Sequence, residues 1–386
     1  MLKNERKLAV VFAIALTAIS LSGCSVGAEE VNLGSFFGAP VTLVFSTSHG
    51  KSDGEKLCSS IRDRLSEIER CLSTEEIGSD IYKFNAAHGS RNIKITKTAF
   101  EVLTIAKKYY IETGGAFDPT VYRLTDLWGF TARHKTKDYK PLYAYDRQRE
   151  GDYSFALPDE KFVQAFLSLV DFAAVEFKSQ AVGDETVYYL SYDGEDVTVD
   201  GVAYNMQIDL SAIAKGYAAD EAQKLINQSG ISGIYISFGG SSLYLADNEG
   251  RSWGLGVVNP IDNSFRRSFA RIEVKNKFVA TSGTYENSYI YGGATYHHII
   301  DSATGRPSES NILSVTLISG EEGGGAATDS LATALLVAGR DAAINYLKRV
   351  GAYNYILVTK DAYVYTDVKD ITLLSDDFTL AENILP

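Results

Sequence analysis

Residues 209–220 read DLSAIAKGYAAD, which sets an acid, a lysine and a run of very small residues side by side. Just upstream, Met206, Ile208 and Leu210 alternate with polar positions, as a strand does. From Ala212 onward, Ala214, Ala218, Ala222 and Leu225 recur at helical spacing. The pattern predicts a strand that turns straight into a helix ending near Gly230, with Ser211 as its N-cap. Two readings compete for the residues at that turn. In the structural one, small residues let the helix pack closely on a sheet, and Asp209 and Lys215 form a surface ion pair. In the functional one, the helix N-terminus offers unpaired N–H groups and a partial positive charge to an anion.

Outward from this turn, helical and strand patterns mix without a repeat. A strand is expected at 41–46, and helices at about 54–72, 97–112 and 158–171. Two or three strands are expected over 186–208. Further strands follow at 233–245, 253–258, 268–281, 288–300, 312–318 and 353–366. Helices are expected at 328–338 and 340–350. Antiparallel strands interleaved with helix pairs argue for α+β rather than a doubly wound sheet. Residues 133–157 are polar, charged and tyrosine-rich, and read as a surface insertion.

The chain opens with Lys3, Arg6 and Lys7, then an apolar run from Leu8 to about Ile19, then Leu21-Ser22-Gly23-Cys24. A basic flank, a short apolar run and small residues make a signal peptide. The run is shorter than the ~20 residues a spanning helix needs. The expectation is a signal peptide over 1–23, a short tether over 24–33 and one unit over 34–386. Removal of 1–23 takes away Lys3, Arg6, Lys7 and Glu5, and moves the net charge from −12 to −14. So acidic a chain argues against nucleic-acid binding, which needs Lys and Arg against phosphate. Cys58 and Cys71 lie on one helical pattern about 20 Å apart, too far for a disulfide. No Cys–His spacing suits a zinc site.

Four further stretches carry candidate chemistry. Gly114-Gly115-Ala116-Phe117-Asp118-Pro119 makes a turn. Phe238-Gly239-Gly240-Ser241 places paired glycines at a strand end. In Tyr296-His297-His298-Ile299-Ile300-Asp301, the adjacent histidines point to opposite faces of a strand, so only one enters a given site. In Ala327-Thr328-Asp329-Ser330-Leu331-Ala332-Thr333, Asp329 and Thr333 are four apart and share a helix face. Both are hard oxygen donors that suit Mg²⁺. The structural alternative makes Asp329 an N-terminal acid favoured by the helix dipole and Thr333 a hydroxyl that bonds back to its own backbone.

Taken in order, these blocks resemble the ApbE family of FAD:protein FMN transferases. SDIYKFNA, GGAFDPTV, LWGF, DLSAIAKGYAAD, SFGG, ATSGTYENSY, HHIIDSATG and ATDSLATALLVAG succeed one another from near Thr42 to the C-terminal strands. The chain departs from the family wording at Phe37-Gly38-Ala39-Pro40, at Ser241 and at Ser302.

The resemblance implies an α+β fold of mixed sheets and helices, related to T-folds, with an FAD cleft between lobes. It implies Mg²⁺-dependent transfer of FMN from FAD to a threonine or serine hydroxyl of a client protein, with release of AMP. It places Ala116, Phe117, Asp118, Asp209, Lys215 and His298 at FAD. The carbonyl of Ala212 and the side chains of Asp329 and Thr333 are the metal ligands it implies. His298 and Asp301 are both candidates for the general base. L-S-G-C resembles the bacterial lipobox, which implies lipidation at Cys24, a membrane anchor facing outside the cytoplasm, and an extracytoplasmic electron-transfer protein as client. Two other activities use the same features: an Mg²⁺-dependent FAD pyrophosphatase yielding FMN and AMP, and a flavin-binding lipoprotein without turnover.

Overall fold

A nine-stranded sheet organises the chain in the computed structural model, which describes residues 27–47, 50–131, 157–262 and 267–381. Its strands, in spatial order, are Ala28–Phe36, Ala39–Ser46, Tyr235–Phe238, Ser242–Leu245, Lys277–Gly283, Ile312–Ser319, Asn354–Thr359, Tyr363–Thr366 and Thr379–Leu380. Neighbours are antiparallel except the last pair, which is parallel. Side chains alternate across such a sheet, and here both faces are covered. Phe278, Leu317 and Leu357 join the main core, while Val279, Ile318, Ile356 and Val358 join a second one.

The helices are α1 (Lys51–Leu72), α2 (Asp80–Ala86), α3 (Lys97–Glu112), α4 (Tyr122–Leu127), α5 (Glu160–Leu167), α6 (Ser211–Ser229), α7 (Gly324–Ala338) and α8 (Arg340–Val350). α1, α6 and α7 pack on the main-core face. The opposite face is covered by a small sheet of Trp253–Val258, Ser268–Val274 and Thr372–Leu373. Cys58 and Cys71 are both buried free thiols, as their helical spacing requires.

The α+β expectation holds, with local differences that include strands at Arg91–Ile95 and Val175–Val182 and helices α2 and α4, which the sequence pattern does not mark. The first strand begins at Ala28 and so takes in residues 28–33, which the sequence assigns to a tether. The expected helix over 158–171 shortens to α5, followed by a single 3₁₀ turn, Phe172–Ala174. Helix α7 begins at Gly324 rather than Thr328. The segment before α6 is extended but is not a ladder strand. Met206, Ile208 and Leu210 are buried as their alternation predicts, yet beside one isolated parallel bridge between Gln207 and Val121 side chains supply several of the segment's hydrogen bonds. Asn85 Nδ2 donates to the Ile208 carbonyl at 2.8 Å, and the Ile208 N–H donates to Asn85 Oδ1 at 2.7 Å. Arg91 Nη2 donates to the Met206 carbonyl at 2.8 Å. The signal-peptide residues, Cys24 and residues 133–156 of the insertion lie outside the described residues.

Candidate active site

The turn at Asp209 is tighter than its sequence suggests. Helix α6 starts at Ser211 and Leu210 occupies the N-cap, so Ser211 is not the cap. Asp209 does that work from one residue further back. Its Oδ1 accepts the Ser211 N–H at 2.8 Å and its Oδ2 accepts the Ser211 hydroxyl at 2.9 Å. Two charged-group hydrogen bonds fix the carboxylate at the helix mouth. The Asp209 N–H in turn donates to the Pro119 carbonyl at 2.9 Å. That bond joins this turn to the GGAFDP turn.

Lys215, one turn into α6, does not pair with Asp209. Its Nζ donates to Ser241 Oγ at 2.6 Å. Ser241, a departure from the family wording, is therefore the lysine's direct partner. α6 then meets α7 at almost backbone contact. A Cβ on Gly216 would lie 2.2 Å from the Gly325 carbonyl oxygen and 2.7 Å from Asp329 Cβ. Only glycine fits there, because real Cβ atoms do not approach backbone so closely.

The close crossing delivers Asp329 to α6. The Gly216 N–H donates to Asp329 Oδ2 at 2.9 Å, and the Ser242 hydroxyl donates to Oδ1 at 2.8 Å. In an unbroken helix the Gly216 N–H belongs to the Ala212 carbonyl. The Ala212 carbonyl and the Asp329 carboxylate thus converge on one N–H. Thr333, one turn on, meets Ser282 Oγ at 2.9 Å. Asp329 sits in the second turn of α7, and the first turn holds no acid. The helix-dipole reading of Asp329 therefore fails, while Thr333 does bond back to its own helix, its hydroxyl donating to the Asp329 carbonyl at 3.4 Å.

These groups open into one cavity of about 550 Å³. Ala116, Phe117, Asp118, Asp209, Ala212, Lys215, His298, Asp329 and Thr333 all line it. Such a volume is ordinary for a small-molecule site. His297 ends the strand Ala294–His297, His298 follows it in a bend, and the two have different surroundings. His298 lines the cavity. His297 is buried, donates Nε2–H to the Ser308 carbonyl at 2.9 Å, and is pushed down to about 4 by burial. Asp301 does not line the cavity. Its Oδ1 accepts the Ala303 N–H at 2.8 Å and its carbonyl accepts the Gly305 N–H at 2.8 Å, which makes it a turn residue. Ser302 ties that turn to the site by donating to the Gly115 carbonyl at 2.7 Å.

Phe37 and Gly38, in the stretch that departs from the family wording, form the tip of the first hairpin and line the cavity. Glu69, Glu75 and Glu286, which the sequence alone did not single out, line it too. Phe37 adopts φ 54°, a rare value for a non-glycine residue. Its N–H donates to Glu69 Oε1 at 2.7 Å. Phe130 lines the wall at the end of a ring stack: Phe130–Tyr289, Tyr289–Tyr296 and Tyr296–Trp128, at 5.3, 5.3 and 5.6 Å between centroids.

Among the described residues that line the cavity, acids outnumber lysine and arginine: Lys215 faces Glu69, Glu75, Asp118, Asp209, Glu286 and Asp329. Burial pushes Asp329 up, with Lys215 and its two hydrogen-bond donors opposing. Burial also raises Asp118 and Asp209, against donors from Thr120 and Ser211 respectively. Glu286 is raised by burial and by Asp329, with Lys215 opposing. Among the described residues no group of three or more His, Cys, Asp and Glu side chains forms a metal cluster. Ala212, Asp329 and Thr333 line the same cavity and offer one backbone carbonyl, one carboxylate and one hydroxyl, hard oxygen donors of the kind Mg²⁺ takes.

The ApbE family model matches residues 37–357. The FAD:protein FMN transferase of Klebsiella pneumoniae is 26% identical over 309 residues, covering 80% of this chain and 78% of that protein. That of Escherichia coli K12 is 27% identical over 302 residues, covering 78% and 76%. The fold is likewise similar to the ApbE protein of Thermotoga maritima, with a TM-score of 0.66 at 24% identity over 86% of this chain and 95% of that one. The match spans the hairpin tip at Phe37, the Asp209 turn and both site helices, and the chain belongs to the ApbE family.

Proposed function

We propose that this chain moves FMN from FAD to a threonine or serine hydroxyl of a client protein and releases AMP. One observation carries the reading: Lys215, His298, Asp329 and Thr333 open into one cavity in a chain of the ApbE family. Ala116, Phe117, Asp118 and Asp209 form the wall that binds FAD, and Lys215 sets a positive charge against its pyrophosphate. Mg²⁺ would be held by the Ala212 carbonyl, Asp329 and Thr333, and when bound it supplies charge neutralisation at the pyrophosphate and for the departing phosphate.

The chain's own task is mainly positioning, because the hydroxyl must lie in line with the bond that breaks. The client oxygen forms a new O–P bond to the FMN phosphorus, and the P–O bond to the AMP phosphate breaks. The hydroxyl proton passes to a base while the negative charge leaves on AMP. His298, which lines the cavity, takes that role, and Asp301 supports its turn from outside.

The same reading extends to the N-terminus. Cys24 carries lipid after removal of residues 1–23, the anchored enzyme faces outside the cytoplasm, and its client is an electron-transfer protein there. The test is to incubate the chain with FAD, Mg²⁺ and a candidate client, then measure the client's intact mass. Transfer gives one covalent FMN per acceptor and equimolar AMP. Free FMN with AMP on an unmodified client would make the chain a pyrophosphatase, and unconsumed FAD would make it a binder.

A further inference from the structure

Asp220 is buried near the middle of α6, does not line the cavity, and has no part in the chemistry above. Its carboxylate reaches across to the start of the neighbouring helix. Oδ1 accepts the Gly325 N–H at 2.7 Å and Oδ2 accepts the Ala326 N–H at 2.8 Å. Helix α7 has no cap of its own, since its N-cap is Gly323 and no side chain there bonds the first turn. The first four N–H groups of a helix lack intrahelical partners. Two of the four are satisfied here by an acid from another helix. Burial raises the Asp220 carboxyl to about 6, while those two N–H groups pull it back.

The cap belongs to a register of contacts along the crossing. Asp220 meets Gly325 and Ala326. One turn back on α6, Gly216 packs on Gly325 and donates to Asp329. A Cβ on Gly325 would lie 2.3 Å from the Gly216 carbonyl and 2.8 Å from Asp220 Oδ1, so the carboxylate and the glycine contact occupy one place. Sliding α7 by one residue would rotate Asp329 and Thr333 about 100° off the cavity. A slide that put Ala326 in the place of Gly325 would bring a Cβ against α6, but a slide that put Gly324 there keeps a glycine at the contact, and the close approach does not resist it. A two-point hydrogen bond with fixed direction does resist it.

We infer that Asp220 is a positioning residue: by capping α7 from α6 it sets the register that brings Asp329 and Thr333 to the Ala212 carbonyl. The inference rests on the proposed metal role of Asp329 and Thr333.

The test uses Asp220→Asn, which replaces one acceptor by an amide N–H₂ facing a helix N–H, and Asp220→Glu, which keeps the charge and lengthens the arm. Asp220→Asn is expected to need at least tenfold more Mg²⁺ for half-maximal FMN transfer. Its FAD affinity without Mg²⁺ is expected to stay within twofold of wild type. Asp220→Glu is expected to shift the Mg²⁺ requirement in the same direction by a smaller factor, and it decides the matter if the Asn variant does not fold. A wild-type Mg²⁺ requirement, or equal losses in Mg²⁺ and FAD affinity, overturns the inference. Hydrogen exchange without metal gives a reading independent of the metal assignment. In either folded variant the 324–333 amides must exchange faster while the 211–215 amides keep their rates. Unchanged exchange over 324–333 overturns the inference even where Asp329→Asn confirms the metal site.

Discussion

Asp329 accepts hydrogen bonds at both oxygens, yet burial still holds its carboxyl above the usual range. A purely structural acid with two good donors has no need of a metal. A metal ligand does, and the two roles part in experiment. Asp329→Asn keeps the shape and removes the charge. We expect FMN transfer to fall by about a hundredfold or more, as when a group stabilising transition-state charge is lost, with partial rescue by excess Mg²⁺. Wild-type transfer should stop with a chelator and return on adding Mg²⁺. Transfer by the variant at wild-type rate in chelated buffer would remove the metal from the site. His297 makes a separate prediction through acid stability. Its pKa falls from 6.5 to about 4 on folding, so below pH 6.5 the unfolded chain takes up a proton that the native chain refuses. Stability from this group is complete above 6.5 and is lost as pH falls toward 4, by up to about 3 kcal/mol. His297→Gln should therefore narrow the stability gap between pH 7 and pH 4.5, measured by urea unfolding. Equal acid sensitivity in both chains would contradict this. At this scale the sequence was informative where chemistry comes with a motif. Asp209, Lys215, Asp329 and Thr333 all reach the cavity. Glu286 was not legible, because a lone glutamate after Tyr285 looks like any solvated residue until Lys215 and Asp329 are placed beside it.

Helix α3 falls at the residues its apolar period marks, Lys97–Glu112, and Thr96 caps it by accepting the Ala99 N–H at 3.2 Å. Its signals are all local. α7 is different. Gly324 and Gly325 read as loop, and the carboxylate that caps this first turn sits at Asp220, far away in sequence. The segment 205–210 reads as a strand for the same reason, since several of its partners are side chains, those of Asn85 and Arg91. Alternation reports burial correctly and says nothing of who supplies the hydrogen bonds. The crossing of α6 and α7 gives the prediction proper to elements. Gly216→Ala places a methyl 2.2 Å from the Gly325 carbonyl oxygen, so the helices must part. Overpacking of this kind costs about 1–3 kcal/mol, and FMN transfer should be lost along with the Gly216–Asp329 bond. Gly54→Ala is the comparison. Its methyl would lie 2.1 Å from the Phe45 ring, under α1. It should lower the melting temperature but leave the Mg²⁺ requirement unchanged. If Gly216→Ala kept wild-type transfer and metal requirement, the crossing would be packing alone.

The whole molecule was legible as a mixed α+β unit, and its sheet order was not. Sequence spacing marks most strands, but only pairing shows Ser242–Leu245 beside Lys277–Gly283, or the first hairpin docked on Tyr235–Phe238. Register and neighbour choice depend on contacts remote in sequence, which no local period encodes. At this scale the prediction concerns the anchor. Mass spectrometry of the native protein should find a chain that begins at acylated Cys24. An intact Met1 or a free Cys24 thiol would count against anchoring. The first hairpin then acquires a second meaning. Its strand begins at Ala28, and its tip, Phe37–Gly38, lines the cavity. From Cys24 to Ala28 the chain spans at most about 14 Å, and the strand adds about 30 Å. With lipid at Cys24, as proposed, and the cavity at the other end, the hairpin would act as a ruler. Acceptor hydroxyls more than about 45 Å from the bilayer surface would then lie out of range. Flexible residues inserted after Ser25 should lengthen that range without touching the chemistry.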